Sequence, residues 1–224
     1  MDGRALKKLR AWGDKNVRGF PWRESRDTYR VAVTELMLVR TKPNQVHKLW
    51  DDFFSRFPTL ESLAEASEQD ISAALSSLGL EWRAQKVAHF ARAAWNRFGR
   101  GLSAEPDSLR QVPGMGEYVP EATAIIVQGR GALPVDTGIA RFLNRFYGLN
   151  AIGELRRKKE ILSAARNLGS CSRQLFFTLV DFCVAVCIAN NPRCDICPLS
   201  KDCAYGKAQE AELDSERALA EAEG

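Results

Sequence analysis

A chain of 224 residues, 45% hydrophobic and 27% charged, can bury one or two compact cores but holds no apolar run near the ~20 residues of a membrane span. Its N-terminus, MDGRALKKLRAWGDK, is too polar for a secretory signal, so an intracellular, reducing compartment is expected and six cysteines need not mean disulfides. The net charge of +4 is uneven: residues 206–224 hold six acids and two bases, leaving about +8 on the rest, a balance compatible with a nucleic-acid surface.

Taken in chain order, the apolar positions fall at helical spacing in residues 29–38, again in 46–54, and again in 87–98. Helix-start signals stand at Thr59, at Ser67 and at Asp107-Ser108. No pair of alternating runs joined by a tight turn suggests strands, and no fixed-period repeat is present. The expected class is all-α.

Residues 109–118 (LRQVPGMGEY) end one helix and lead into another through Ala122–Val127. Gly114 and Gly116, separated by Met115, permit a hairpin tight enough to leave backbone N–H groups bare at the next helix's N-terminus. Such an end binds phosphate without reading sequence. A plain turn between packed helices would explain the glycines equally well. Twenty residues after Gly116, Asp136 in LPVDTGIARFLNR stands where a helix should begin. Its simplest role is an N-cap.

Near the C-terminus, Cys187, Cys194, Cys197 and Cys203 are spaced C-x6-C-x2-C-x5-C. The first closes an apolar helix-like run, and Pro192 and Pro198 break the chain between later ones. Short loops of this kind wrap one metal centre, and four thiolates suit an iron–sulfur cluster or a structural zinc. The acidic, alanine-rich tail after residue 205 reads as a frayed helix or a disordered, solvated extension.

Together the VPGMG hairpin, the VDTGIARFLNR segment and the cysteine loop resemble the helix-hairpin-helix (HhH-GPD) DNA glycosylases of the endonuclease III and MutY superfamily. Phe20-Pro21-Trp22-Arg23 and Thr34-Glu35-Leu36-Met37-Leu38-Val39-Arg40-Thr41 extend the likeness toward the adenine and thymine mismatch branch. The match runs over roughly residues 18–205. It implies a two-lobed helical fold: a six-helix lobe over 22–129, and a [4Fe–4S] cluster lobe built from 1–21 and 130–205. It also implies a monomeric base-excision-repair enzyme acting on double-stranded DNA, with no membrane, in the cytoplasm beside the nucleoid if the source is prokaryotic.

The resemblance gives the residues roles. Asp136 matches the family's essential aspartate, whose carboxylate steadies an oxocarbenium-like sugar and orients water; helix-end N–H groups would keep it ionised. Tyr118 stands where bifunctional members carry the Schiff-base lysine, so strand cleavage is not expected. Glu35 matches the acid that protonates a departing base, although a glutamate in an apolar helix can also be simply buried and satisfied. Glu121, one turn after Tyr118, departs from the small or neutral residues usual there.

For DNA, the hairpin residues Gly114, Met115 and Gly116 are expected at phosphates. Arg40 and Thr41 stand in one loop of the kind that fills the hole left by a flipped base, and Leu80 and Trp82 in a second. Trp82 reads equally well as core. The cysteine loop carries a single base, Arg193, fewer than is usual. His47 and His89 read as structural. Relatives that read 8-oxoguanine usually carry a further C-terminal domain, and the chain ends at Gly224. Thymine or uracil opposite guanine is therefore the expected target, with adenine, a damaged pyrimidine, or silent DNA binding as alternatives.

Overall fold

The computed structural model describes residues 1–79 and 81–222, and the side chains of all of these except Glu81 and 216–222. The helices are α1 (Gly3–Asn16), α2 (Pro21–Glu24), α3 (Thr28–Leu38), α4 (Pro43–Arg56), α5 (Leu60–Glu65) and α6 (Glu68–Leu75). Then come α7 (Glu81–Phe98), α8 (Pro106–Arg110), α9 (Tyr118–Gln128) and α10 (Thr137–Tyr147). The last are α11 (Lys159–Arg166), α12 (Arg173–Ala185) and α13 (Ala204–Ala222). Extended structure is confined to two-residue segments at Arg130–Gly131 and Cys171–Ser172 among the described residues. None of the described helices is long and apolar enough to cross a membrane. The chain divides into two compact units, Gly19–Gly131 and Met1–Arg18 with Ala132 onward.

The Gly19–Gly131 unit is built on capped helices around an aromatic core. Thr59 and Ser62 form a reciprocal capping box for α5, and Ser67 accepts from the Asp70 amide to start α6. The start expected at Asp107 falls two residues earlier, because Pro106 takes the first helical position and Glu105 the cap. Inside, Tyr29, Trp50 and Phe53 all meet Phe54 edge-on, with centroids 5.1–5.6 Å apart. Their polar atoms are paired: Tyr29 Oη donates to the Phe57 carbonyl at 2.7 Å, and Trp50 Nε1 donates to Thr34 Oγ1 at 2.9 Å. His47 packs edge-on to Phe20 and Trp22, the structural place expected for it.

In the other unit, α1 lies along α12. Asp2 caps α1, and its buried face is Ala5, Leu9 and Gly13, spaced by four. Gly13 is required by close approach: a Cβ there would come within 2.2 Å of Thr178 Oγ1. Arg18 donates from its backbone N–H and its guanidinium to the buried Asp181 carboxylate of α12, at 2.5–3.0 Å. α10 buries Ile139, Phe142, Leu143 and Phe146 on one stripe and packs against α11, α12 and α13. The tail is helical through Ala222 as α13, where disorder had been one of the two expectations.

Candidate active-site residues and the cysteine pocket

The hairpin between α8 and α9 is formed as its glycines require. Gly114 and Gly116 hold φ of 81° and 64°, conformations costly for any residue with a Cβ, and open space lies above both. Glu117 at the N-cap of α9 makes no side-chain cap bond, so the first-turn N–H groups are not closed off by it. The Met115 side chain is 3% exposed and packs in the core, which leaves its backbone for the hairpin surface. Tyr118 opens α9, half-buried against the same core. Glu121 is engaged by Arg110, whose guanidinium also reaches Asp107 and Glu117. This ion pairing at the helix surface accounts for a charged residue at that position.

Glu35 is 4% exposed on α3, beside Thr34, whose hydroxyl donates to the Arg30 carbonyl. At the end of α3 the chain turns through Val39, and Arg40 takes a left-handed backbone (φ 56°) that costs about 1–2 kcal/mol in a non-glycine residue. Arg40 is exposed and Thr41 half-buried, with the Thr41 N–H donating to the Leu38 carbonyl. Leu80 lies outside the described residues. Trp82, 37% exposed, is a surface ring rather than core, and the Arg83 guanidinium lies over its face at 5.4 Å.

Asp136 opens α10. Its Oδ1 accepts from the Ile139 amide at 2.6 Å, and the carboxylate also receives the Gly138 amide. Burial nevertheless pushes its carboxyl above the ordinary aspartate range. The two amides and the nearby Arg141 and Arg156 charges pull the other way without overcoming it. The helix-end amides act in the expected direction, favouring the ionised form, while desolvation is the larger contribution. Gly138 fits a narrow gap, where a Cβ would stand 3.0 Å from Cys183 Cβ and 3.3 Å from Asp136 Oδ1.

All four expected ligands, Cys187, Cys194, Cys197 and Cys203, line one pocket, walled by Phe142, Phe182, Val186 and Leu199. Backbone N–H groups are directed at the sulfurs, from Leu199 to Cys197 and from Tyr205 and Gly206 to Cys203. Burial pushes the Cys197 thiol up to about 11, so with no metal the proton stays on. A metal centre would displace such protons and receive thiolates already supplied with donors. Among the described residues no three histidine, cysteine, aspartate or glutamate side chains gather tightly enough to hold one metal ion. Four cysteine thiols on one pocket are a donor set of the kind that an iron–sulfur centre takes.

Two arginines that the sequence did not single out connect this pocket to α10. Arg141 donates to the Cys183 and Cys187 carbonyls at 2.9–3.2 Å. Arg145 donates to the Ile188 and Ala189 carbonyls and points Nη1 at Cys187 Sγ, 3.7 Å away. Their i, i+4 spacing on the helix that Asp136 begins was the available signal. Arg83, also unforeseen, carried none. Asp136 and the four cysteines fall in one unit, while Glu35, Arg40, Thr41, Trp82, Tyr118 and the hairpin fall in the other.

A family model described as HhH-GPD superfamily base excision DNA repair protein matches residues 33–169. A thymine/uracil-DNA glycosylase of Methanothermobacter thermautotrophicus is 30% identical over 192 residues, covering 84% of this chain and 86% of the relative. An adenine DNA glycosylase of Mycolicibacterium smegmatis is 27% identical over 194 residues, covering 86% of this chain and 66% of that one. Among solved structures, a thermostable thymine-DNA glycosylase superposes with a TM-score of 0.81 at 27% identity, covering 91% of this chain and 95% of the other.

Proposed function

The chain belongs to the HhH-GPD superfamily of base excision DNA repair proteins, and we propose that within it this protein is a monofunctional mismatch glycosylase. It hydrolyses the N-glycosidic bond of thymine or uracil opposite guanine in duplex DNA, acting as a monomer on a flipped nucleotide. The observation that carries this reading is a buried-side carboxylate at position 136 together with a phenol, not an amine, at position 118. Likeness to thymine/uracil glycosylases over most of the chain supports the choice of base.

In this mechanism the hairpin amides around Gly114 and Gly116 hold a backbone phosphate. The C–N bond breaks with its electron pair going to the base, which takes a proton from Glu35. Asp136 stabilises the positive charge left on the sugar, orients the attacking water and accepts its proton. The products are free base and an intact abasic site. Tyr118 offers no amine to form a Schiff base, so the strand is not cut.

Cys187, Cys194, Cys197 and Cys203 would hold a [4Fe–4S] cluster. Four cysteine side chains lining one pocket are a donor set that such a cluster takes. When bound, the cluster cross-links the 187–203 loop. No step above passes through it.

Adenine excision is the second reading, favoured by the 27% identity to an adenine glycosylase. Base release from G·T, G·U, G·A and 8-oxoguanine·A duplexes, with and without alkali, separates the two. Alkali-dependent breaks confined to G·T and G·U are expected. Breaks at adenine would transfer the protein to the second reading, and breaks without alkali would overturn the role given to Tyr118.

A further inference from the structure

Arg83 is the bulkiest fully buried side chain among the described residues, 1% exposed at the start of α7. A guanidinium is costly to remove from water, and an apolar side chain could fill the same volume without that cost. What the site uses is the fork. Nη1 donates to the Leu78 carbonyl at 3.2 Å and the Gly79 carbonyl at 2.8 Å, and Nη2 donates to the Val39 carbonyl at 2.8 Å.

These carbonyls end two different elements. Val39 is the C-cap of α3, while Leu78 and Gly79 close the 3₁₀ turn at Ser76–Leu78. Helix C-termini leave carbonyls unpaired and carry partial negative charge, so one cation satisfies both ends. Just beyond each bond the backbone is left-handed, at Arg40 (φ 56°) and at Gly79 itself (φ 64°). The fourth contact is the face of the guanidinium, which lies over the Trp82 ring. A buried charge thus reaches both turns from behind, while Arg40 and Trp82 stand exposed in front.

We propose that Arg83 is a positioning residue for base flipping, tying the Val39–Arg40 turn, the Leu78–Gly79 turn and the Trp82 ring into one rigid wedge. The inference rests on the glycosylase reading above, and deepens it by naming the group that makes two separate loops act as a unit. Arg83 itself does not touch DNA. A lysine keeps the charge but has no planar fork to span both turns, so it is a partial substitute.

The test compares wild type, Arg83→Lys and Arg83→Met in single-turnover uracil release. One substrate carries a single G·U mismatch in a duplex; the other carries the same G·U inside a short bubble, where extrusion costs little. The expected result is release from the duplex slowed by up to about a hundredfold in Arg83→Met, with most of the rate recovered on the bubble and Arg83→Lys in between. Equal losses on both substrates, or no loss on either, would overturn the proposal. Should Arg83→Met not fold, Arg83→Lys carries the same comparison. Amide hydrogen exchange of residues 39–41 and 78–79 gives a readout independent of which base is cut: faster exchange there, with the distant core unchanged, is expected in the variants. If wild type releases no uracil, the glycosylase reading fails, and exchange unchanged by Arg83→Met would then sink the tie as well.

Discussion

The carboxylate of Asp136 accepts the Ile139 amide at 2.6 Å, so the side chain assigned to the sugar also starts α10. The two roles are separable by chemistry. Asparagine caps a helix about as well as aspartate, whereas alanine forfeits about 1 kcal/mol. Asp136→Asn is expected to fold as wild type and to bind duplex DNA, with base release lost. Asp136→Ala should lose release and also melt lower. Thermal melts beside single-turnover release check both, and release by Asp136→Asn at the wild-type rate would remove Asp136 from the mechanism.

Burial raises the Asp136 carboxyl above its ordinary value of 3.8, and the sign of the consequence is fixed. The folded chain holds this proton more tightly than the unfolded chain does. Stability from this group is therefore full below the ordinary value and is lost as pH rises through the raised one. Asp136→Asn carries no such group, so its melting temperature should gain on wild type as pH rises through that window. Below the ordinary value the gap should close. A difference independent of pH would show that burial is not what perturbs this carboxyl.

Tyr118 opens α9 one residue beyond the N-cap Glu117, so an amine introduced there would sit where the resemblance places the family's Schiff-base lysine. Tyr118→Lys is expected to gain alkali-independent strand cleavage and a borohydride-trappable DNA adduct, neither of which wild type should show. Loss of the ring's half-buried contact should lower stability by about 1–2 kcal/mol. Trapping by the wild-type protein would contradict the monofunctional reading directly.

The parts of this site legible in the sequence were those governed by local rules. Gly114 and Gly116 declare a turn because only glycine takes their φ cheaply, and Asp136 declares a helix start because its side chain caps three residues on. The cysteine spacing points to one pocket because its short loops bring the four thiols together. What stayed hidden depends on contacts far apart in the chain. Arg83 reaches a carbonyl 44 residues away, and nothing near it distinguishes it from a solvated arginine. The burial of the Met115 side chain likewise depends on helices that the VPGMG turn itself does not specify. The net shift of Asp136 turned on burial, which local pattern does not report.

Cysteine substitution separates the four pocket thiols from Cys171. Cys187, Cys194, Cys197 and Cys203 share one pocket, while Cys171 is buried and its thiol is pushed up to about 12 by desolvation. The purified protein should be brown, with iron and acid-labile sulfide in equal amounts and broad visible absorption. Cys197→Ala should lose colour and iron and melt earlier, because metal binding and folding of the 187–203 loop are linked. Cys171→Ser should keep both. A colourless protein containing stoichiometric zinc would replace the cluster with a single ion.

Gly13 and Thr178 meet where α1 crosses α12, and their contact is a sharp test of the cluster-side unit's packing. A Cβ on residue 13 would stand 2.2 Å from Thr178 Oγ1, 2.7 Å from its Cγ2 and 3.0 Å from its Cβ. The threonine cannot swing its hydroxyl away freely, since Oγ1 donates to the Gln174 carbonyl at 2.8 Å. In an open helix, glycine to alanine would stabilise by a few tenths to about 1 kcal/mol. Here overpacking should reverse that sign and cost about 1–3 kcal/mol. Thr178→Ala removes two of the three clashing atoms, so Gly13→Ala with Thr178→Ala should recover most of the loss. The double-mutant cycle then gives a coupling energy well above the few tenths expected for independent sites. Urea melts of the four proteins measure it directly, and additive effects would mean that α1 and α12 do not approach this closely.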